Sequence, residues 1–403
     1  MPIISFDGNS VALEDIQDNP AHYATRLGRA KVVPGYAMCG CMQPVPDRPL
    51  RLVIRRHGAV FHLARWPDEG PLHNRDICPF FSEKTLTGQG APDPDDAIRV
   101  TSDGFDVKLD VSFTIRTAGP VSRRASTAGT GSKSRRAAPL LAFLQRLWLD
   151  ARLNNWTGGT HRNWGTCNAQ LLAQLGDGKI NGKPMQDVLH VMRLYERDAA
   201  GSIKAEFDAF LARITRTDAT IERGIVIAEL KSVEKSRYGF VVEIRQTYET
   251  FYVSAEIIDS VSKSYRHAWP QIGKSDARVV AVLVLERTKD DNLRIVDLAA
   301  QLCNRAFIPC DSSYEVEMAN RLVLKRRRFE KPMRFSEVDE LLPDFILNDT
   351  ASPTYVEVWG MESNAQYRAR KAEKQAIYAR KQTLVVEWTP PADLNTVPIP
   401  GAT

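Results

Sequence analysis

Long hydrophobic runs are missing from this 403-residue sequence. Its longest apolar stretches, such as residues 279–285, have the length of one β-strand and fall well short of the roughly 18 residues that a membrane helix needs. The N-terminus also lacks a basic segment followed by an apolar one, which is the pattern of a secretory signal. We therefore expect no membrane partner and a cytoplasmic location.

A strong net charge is missing as well, since the formal charge is only +5. The length predicts roughly two or three domains. The basic residues are nevertheless clustered, and two clusters flank a pair of acidic strands predicted near the C-terminus, which suits a polyanionic substrate. Solvated helix faces and a flexible linker explain the same clusters equally well. The clusters lie at residues 123–124, 133–136, 325–328 and 368–381.

Cysteines are few, six in all, which does not make a disulfide framework in a chain of this length. Three of them and a histidine lie at the two ends of a predicted hairpin, and thiols with imidazole form the ligand set of tetrahedral zinc. We predict a structural zinc site, because four protein ligands leave no position for a catalytic water. The predicted ligands are Cys39, Cys41, His73 and Cys78.

Two alternatives to this zinc site stay open. His57 and His62 are rival ligands, and the three thiols could instead be buried and free, with a histidine at the surface. The spacing Cys-x-Cys is also tighter than the commoner Cys-x-x-Cys. The remaining cysteines have no histidines nearby in a ligand pattern, so we interpret them as core thiols. They are Cys167, Cys303 and Cys310.

The pattern along the chain predicts a multidomain α+β protein. Residues 140–151 carry an apolar stripe with helical spacing, and we interpret Trp148, Trp156 and Trp164 as core anchors rather than base-stacking platforms. Alternation with period two then predicts strands. The predicted units are a zinc-ribbon-like or treble-clef-like module with a hairpin (1–95), strands with a flexible basic linker (96–138), a helical region (139–220), a β-rich domain (221–309) and a C-terminal α/β domain (310–403).

Two carboxylates near the C-terminus stand on neighbouring predicted strands. Asp344 follows Pro343 at the start of one strand, and Glu357 lies within the next. A sheet can hold two such carboxylates a few ångströms apart, where a magnesium ion offsets their repulsion. The sequence therefore predicts a magnesium site. Asp344 could instead only shape a strand start, and Glu357 could face solvent on an edge strand.

The pattern Pro343-Asp344, then Glu357-Val-Trp359, between two predicted helices resembles the PD-(D/E)XK superfamily of nucleases, which have the restriction-endonuclease-like fold. The resemblance covers roughly residues 310–390. It implies that Asp344 and Glu357 bind catalytic magnesium and that a lysine orients the water that attacks the phosphodiester. It also implies a supporting carboxylate on the preceding helix.

The motif does not decide which residue is the helix carboxylate or which is the lysine. Glu315 is our first choice for the carboxylate, although it also fits a capping box, and Glu317 is the alternative. The lysine that often stands two residues after the Glu is Trp359 here. Some members of the superfamily carry this lysine on the following helix, which offers Lys371 or Lys374.

Two stripes compete on that helix, which is predicted over residues 364–381. At 100° per residue, Tyr367, Lys371, Lys374 and Tyr378 share one face, and a stripe of alanines lies nearly opposite. If the alanines pack on the sheet, the lysines point away from the carboxylates, towards solvent or a DNA backbone. The predicted nucleic-acid contacts are Arg326, Arg327, Arg328, Gln375 and Tyr378.

The chain as a whole is similar to an uncharacterised bacterial family encoded on plasmids and integrative elements. The similarity rests on Cys-x-Cys, His-x-x-x-x-Cys, the tryptophan-rich middle and Val-Glu-Val-Trp-Gly360. Our first hypothesis is a magnesium-dependent nuclease acting on DNA. The alternatives are an inactive nuclease-like protein that binds nucleic acid, and a scaffold that recruits a protein partner of a transfer or defence system. The oligomeric state is left open.

Overall fold

The computed structural model describes residues 2–42, 49–82, 97–101, 104–117, 139–159, 161–333, 342–360 and 365–402. The linker predicted between residues 117 and 137 therefore lies almost wholly outside the described residues. In the described part of the chain, no helix is both long and apolar enough to cross a membrane. The architecture is a mixed α+β one, as predicted.

The N-terminal region is an antiparallel sheet covered by helices. The predicted hairpin forms, and its turn uses Gly58 at φ 57°, a conformation that suits glycine. The sheet has the order β2-β1-β3-β4-β5 and is thus larger than the knuckle and hairpin that the sequence predicts. The elements are β1 (Ile3–Phe6), β2 (Asn9–Ala12), α1 (Leu13–Asp18), α2 (Pro20–Val32), β3 (Ala37–Cys39), β4 (Leu50–His57) and β5 (Val60–Arg65).

The middle region combines helices with short strands. The apolar stripe of its first helix is buried, as are Trp148, Trp156 and Trp164, so these tryptophans are core anchors. The elements are β6 (Ile98–Val100), β7 (Phe105–Val107), β8 (Thr114–Arg116), α3 (Leu140–Asp150), β9 (Asn155–Thr157), α4 (Trp164–Leu175), β10 (Lys179–Ile180), β11 (Lys183–Pro184), α5 (Met185–Val188), β12 (Leu189–Val191) and α6 (Ala200–Leu211).

The region predicted to be helical, residues 139–220, thus contains short strands as well as helices. Helix α4 ends at Gly176, whose φ of 55° leaves the helical conformation. Gly182 at φ 80° and Pro184 then favour a tight hairpin over a further helical turn. The hairpin joins a sheet of order β11-β10-β7-β6.

The β-rich region closes into a barrel. Its strands follow the order β14-β15-β16-β18-β17, and β17 pairs back onto β14. The apolar residues of β17 at positions 279–285 are buried on both of its faces, because one face lines the barrel and the other packs on the helical region. The elements are β13 (Thr220–Glu222), β14 (Gly224–Ser236), β15 (Gly239–Ile244), β16 (Phe251–Val253), α7 (Ala255–Ser264), β17 (Ala277–Arg287) and β18 (Leu293–Asn304).

The C-terminal region runs helix, three strands, helix, strand. The first three strands form an antiparallel meander, and the last strand pairs parallel to its neighbour. Strand β9 of the middle region completes the sheet, which has the order β22-β21-β20-β19-β9. The elements are α8 (Ser313–Leu324), β19 (Arg328–Glu330), β20 (Phe345–Leu347), β21 (Thr354–Val358), α9 (Ala365–Arg380) and β22 (Val385–Trp388).

Candidate functional site

Four buried side chains meet in the N-terminal region. Cys39 ends β3 and Cys41 follows it, while His73 and Cys78 lie in the segment after β5. One ligand atom from each residue lies within 4.8 Å of the ligand atoms of the others. The structure thus brings the predicted ligand set together, and we call it the Cys/His cluster.

The spacing inside the Cys/His cluster fits a metal such as zinc. The Sγ atoms of Cys39 and Cys78 are 3.7 Å apart, and Nδ1 of His73 lies 3.3 Å from Cys41 Sγ and 3.5 Å from Cys78 Sγ. In a tetrahedral site with Zn–S bonds of about 2.3 Å, neighbouring ligand atoms are separated by roughly 3.5–3.8 Å. Burial raises the pKa of Cys78, and a bound cation would instead favour its thiolate form.

The rival histidines lie outside the Cys/His cluster. His57 and His62 face each other diagonally across the hairpin, with their rings 6.2 Å apart. Burial lowers the pKa of both, to about 3 for His62. His57 Nε2 lies 3.9 Å from Glu206 of α6, so these two rings belong to the contact between the hairpin and the middle region.

At the other end of the chain, α9 turns its lysine and tyrosine stripe to the sheet. Tyr367, Lys371 and Lys374 are half-buried and Tyr378 is buried, whereas the alanines at positions 369, 372, 376 and 379 are exposed. The hypothesis that the alanine stripe packs on the sheet is therefore wrong. The tyrosine ring gives the reason, because Tyr378 packs edge-on against Tyr355 of β21 and removes far more apolar surface from water than an alanine does.

This orientation places Lys374 at one of the two predicted carboxylates. Its Nζ lies 2.8 Å from Glu357 Oε1 and 3.1 Å from Oε2, and it also donates to the carbonyl of Leu342 at 2.9 Å. The Tyr378 hydroxyl donates to Glu357 Oε1 at 2.5 Å. Glu357 is only 1% exposed, so its charge depends on these two donors.

Asp344 stands beside Glu357 because of the strand register. Phe345 pairs with Val356, and one step further along the antiparallel ladder Asp344 comes opposite Glu357. Asp344 Oδ2 accepts a hydrogen bond from the Val358 amide at 2.7 Å. Burial raises the pKa of Asp344, and the neighbouring Glu357 charge raises it further. Two carboxylates therefore share one confined space.

The predicted helix carboxylate lies in the same region and has a partner that the sequence did not suggest. Glu315 Oε2 accepts from Lys331 Nζ at 2.7 Å, and both side chains are buried. The capping box forms with one difference. The Ser312 hydroxyl accepts from the Glu315 amide as expected, but the Glu315 carboxylate accepts from the amide of Asp311 instead of that of Ser312. The alternative, Glu317, is exposed.

A cleft of about 500 Å³ opens onto this carboxylate site. Asp344, Lys331 and Lys374 of the C-terminal region line it. Arg266 and His267, which follow α7, line it as well. A ligand in the cleft would therefore touch both the β-rich region and the C-terminal sheet.

One comparison with known proteins gives a match over nearly the whole chain. A family model described as "Protein of unknown function (DUF1173)" matches residues 11–391. The chain belongs to the DUF1173 family. The match spans both the Cys/His cluster and the carboxylate site of this DUF1173 protein. No curated protein and no solved structure matches the DUF1173 chain, so the restriction-endonuclease-like fold stays a prediction.

Two further predicted site residues of the DUF1173 chain reach β22 or the residue that follows it. Lys371 Nζ lies 5.2 Å from the centre of the Trp359 ring and 3.5 Å from Thr389 Oγ1. Gln375 donates to Glu387 on β22 at 2.7 Å.

Some of the residues predicted to contact nucleic acid are buried, and others are accessible. Arg327 is buried and its guanidinium pairs with Asp349 at 2.6 Å, so it holds the turn after β20 and presents no face to a nucleic acid. Tyr378 is buried against Glu357 and has the same limitation. Arg326 is exposed and Arg328 half-buried, so a contact with nucleic acid stays a prediction for these two.

Sequence reasoning missed Lys331 altogether. The residue directly follows β19, a strand too short to show a pattern, and it is 5% exposed between two acids, Glu315 at 2.7 Å and Asp311 at 2.8 Å. A lysine directly after the strand Arg328–Glu330 was the available signal. The sequence alone could not show that Lys331 pairs with Glu315, because the two residues meet only when the strand returns alongside α8.

Proposed function

We propose that this DUF1173 protein is a metal-dependent nuclease that hydrolyses DNA phosphodiesters. The observation that carries the proposal is the 2.8 Å contact between Lys374 Nζ and Glu357. Lys374 and Asp344, which stands opposite Glu357, both line the cleft. A carboxylate pair with an adjacent ammonium group can hold a metal and orient water, as such hydrolysis requires. The whole-chain resemblance to proteins of plasmids and integrative elements supports a role in mobile elements.

The order of elements supports the same proposal. Helix α8, the meander β19-β20-β21, helix α9 and the parallel strand β22 follow the arrangement that the resemblance to PD-(D/E)XK nucleases implies. Asp344 directly precedes β20, Glu357 lies on the adjacent strand β21, and the lysine comes from the helix after the meander. Trp359 stands where such enzymes often carry the lysine, and Lys374 lies close to its ring, 5.8 Å from the centre.

Asp344 and Glu357 offer the hard oxygen ligands that magnesium prefers. Within the described residues, the groups of three or more potential ligands comprise the Cys/His cluster alone, so we assign magnesium to this pair without Glu315 as a direct ligand. One or two carboxylates suffice, since protein-bound magnesium keeps several waters. When bound, the ion would neutralise phosphate charge and lower the pKa of a coordinated water.

The protein's own residues would position the two carboxylates and balance the charge around them. Lys374 Nζ holds Glu357 in place and can donate to a water or a phosphate oxygen in the cleft. The Val358 amide fixes the orientation of Asp344. Lys331 neutralises Glu315 and so limits the negative charge next to an incoming phosphate.

The test is cleavage of supercoiled plasmid DNA by the purified protein with magnesium. The wild-type protein should nick or linearise the plasmid, and Asp344→Ala and Lys374→Met proteins should be at least about 100-fold slower, the size of effect typical of a lost catalytic group. Lys371→Met is the matched control on the same helix face and should cleave as wild type does. Equal cleavage by wild-type and Asp344→Ala proteins would rule the proposal out.

A second candidate is a nuclease-like protein that binds nucleic acid without cutting it. It is favoured by the state of Glu357, which is buried, is bonded to both Lys374 and Tyr378 and does not line the cleft. Such a closed network can be purely structural. Salt-sensitive DNA binding with no cleavage in magnesium or manganese would favour this candidate.

We also infer that the Cys/His cluster holds structural zinc. Three sulfurs and one imidazole nitrogen are the donors that zinc selects, and all four residues are buried, which leaves no open position for a substrate. A bound zinc ion would join β3 to the segment after β5 in a region with a small core.

A further inference from the structure

The barrel in the middle of the chain has a strand order that is typical of a ligand-binding fold. From β14 the ring runs β15, β16, β18, β17 and back to β14, with β16 and β18 paired parallel and α7 inserted between β16 and β17. A five-stranded Greek-key barrel of this kind resembles the OB-fold, in which the second and third strands and two flanking loops bind oligonucleotides or oligosaccharides. The corresponding elements here are β15, β16, the β14–β15 turn and the β17–β18 loop.

An aromatic and a basic side chain lie side by side on the outer face of these strands. Tyr252 on β16 points outward between the buried Phe251 and Val253, and it is 42% exposed. The parallel register sets it beside Arg294, whose side chain is 47% exposed. The exposed ring of Tyr252 is therefore available to stack on a ligand.

The β14–β15 turn adds a second tyrosine at the edge of the same face. Tyr238 is 85% exposed, and the Arg237 guanidinium lies 5.1 Å from its ring centre. The next residue, Gly239, has φ 147° and packs so closely that a Cβ there would come within 2.6 Å of the Val253 carbonyl. The turn is therefore held against the end of β16 that carries Tyr252.

Basic side chains lie in the two loops that flank these tyrosines. Within the described chain, Arg237 and Lys289 are exposed and have no carboxylate partner. The face also carries one exposed acid, Glu234, which the register places on the same side as Tyr252. Two aspartates share the β17–β18 loop with Lys289, but one of them, Asp291, is paired with Arg287 at 3.1 Å. Phosphates on the lysine and arginine, with bases on the tyrosine rings, match the way sequence-independent proteins hold single strands.

We propose that the barrel face formed by Arg237, Tyr238, Tyr252 and Lys289 binds single-stranded DNA. A duplex is a poorer ligand, because its bases are already stacked on each other and cannot cover the tyrosines. Helix α7 links the end of β16 to Arg266 and His267, which line the cleft, and its ten residues span about 15 Å.

This proposal does not depend on nuclease activity, and binding is measured without any divalent metal added. The probe is a fluorescein-labelled single-stranded oligodeoxynucleotide of about 15 nucleotides, within the site sizes of such barrels, with the matching duplex for comparison. Fluorescence anisotropy should show tighter binding of the single strand. The Tyr238→Ala/Tyr252→Ala protein should bind it roughly tenfold or more weakly, the loss expected when stacked bases are released.

Two further variants separate this surface from general charge attraction. Arg237→Ala should lower the slope of log affinity against log salt by about 0.7, the value for one phosphate contact to a single strand. Tyr248→Ala is the matched control, because Tyr248 is 98% exposed in the β15–β16 loop at the opposite end of these strands. The Tyr248→Ala protein should bind the single strand as the wild-type protein does.

Equal losses of affinity for Tyr248→Ala and the double variant, or equal affinity for duplex and single strand, would overturn the proposal. Binding with these properties but without plasmid cleavage would leave it intact while the nuclease proposal failed.

Discussion

At the scale of single residues, the pair Lys374 and Glu357 connects α9 to the sheet and sits at the proposed reaction centre. The Lys374 side chain is 19% exposed, and Glu357 would keep a buried charge if the ammonium were removed. We expect Lys374→Met to lower the free energy of unfolding by about 3 kcal/mol, the loss typical of breaking a buried pair from one side. Urea denaturation measures it.

The double variant Lys374→Met/Glu357→Gln is the control for this prediction. It leaves no unpaired charge, so it should recover part of the lost stability while remaining unable to cleave DNA. If Lys374→Met is as stable as the wild-type protein, the pair is not a buried one in solution. The prediction would then be wrong, whatever the cleavage result.

Glu315 gives a pH dependence at the same scale. Burial, with the nearby Asp344 and Asp311 charges, raises its pKa to about 7 despite the opposing effect of Lys331. The folded state thus holds the proton more tightly than the unfolded state does, so this contribution to stability is complete below about pH 4.5 and is lost as the pH rises through 7.

The measurement compares urea denaturation at several pH values between 5 and 8, without divalent metal. Wild-type stability should fall relative to that of Glu315→Gln as the pH rises across this range, because the amide has no proton to lose. Glu373→Gln, an exposed change on α9, should follow the wild-type profile. A wild-type curve parallel to that of Glu315→Gln would contradict the raised pKa.

At the scale of elements, the Cys/His cluster ties β3 to the segment after β5. We expect the purified protein to carry about one equivalent of zinc and Cys78→Ser to carry far less, because a missing ligand leaves an incomplete site. Loss of zinc should lower the melting temperature, since metal binding contributes to folding. Elemental analysis and thermal denaturation measure both. Cys167→Ser, at a buried cysteine outside the cluster, should keep its zinc even if it is less stable.

Elements with their own local pattern could be predicted from the sequence, and contacts between distant elements could not. The Cys-x-Cys and His-x-x-x-x-Cys spacings gave the cluster, and the helix predicted over 364–381 is observed as Ala365–Arg380. The face that α9 turns to the sheet could not be predicted, because alanine and lysine stripes are equally regular. Packing of Tyr378 on Tyr355, which lie far apart in sequence, decides it.

At the scale of the whole molecule, the C-terminal sheet is not complete within the region that the sequence suggests. Strand β9, more than 150 residues earlier, pairs with β19 and sets Trp156 opposite Phe329 in the shared core. The Lys331 amide and carbonyl both bond to Asn154 next to β9. Three residues within a helical region give no recognisable strand pattern, which is why residues 310–403 looked self-contained.

A fragment of residues 310–403 should therefore fail to fold on its own. Without β9, the edge of β19 is left unpaired and Phe329 is uncovered, which favours aggregation. A fragment of residues 97–403 keeps β9, the barrel and the strands β6, β7 and β8 that pair with this region, and it should unfold cooperatively. Size-exclusion chromatography and circular dichroism distinguish the two outcomes. If the shorter fragment is monomeric and melts cooperatively, β9 is dispensable. The proposed nuclease would then be a separable domain rather than a site that the middle region completes.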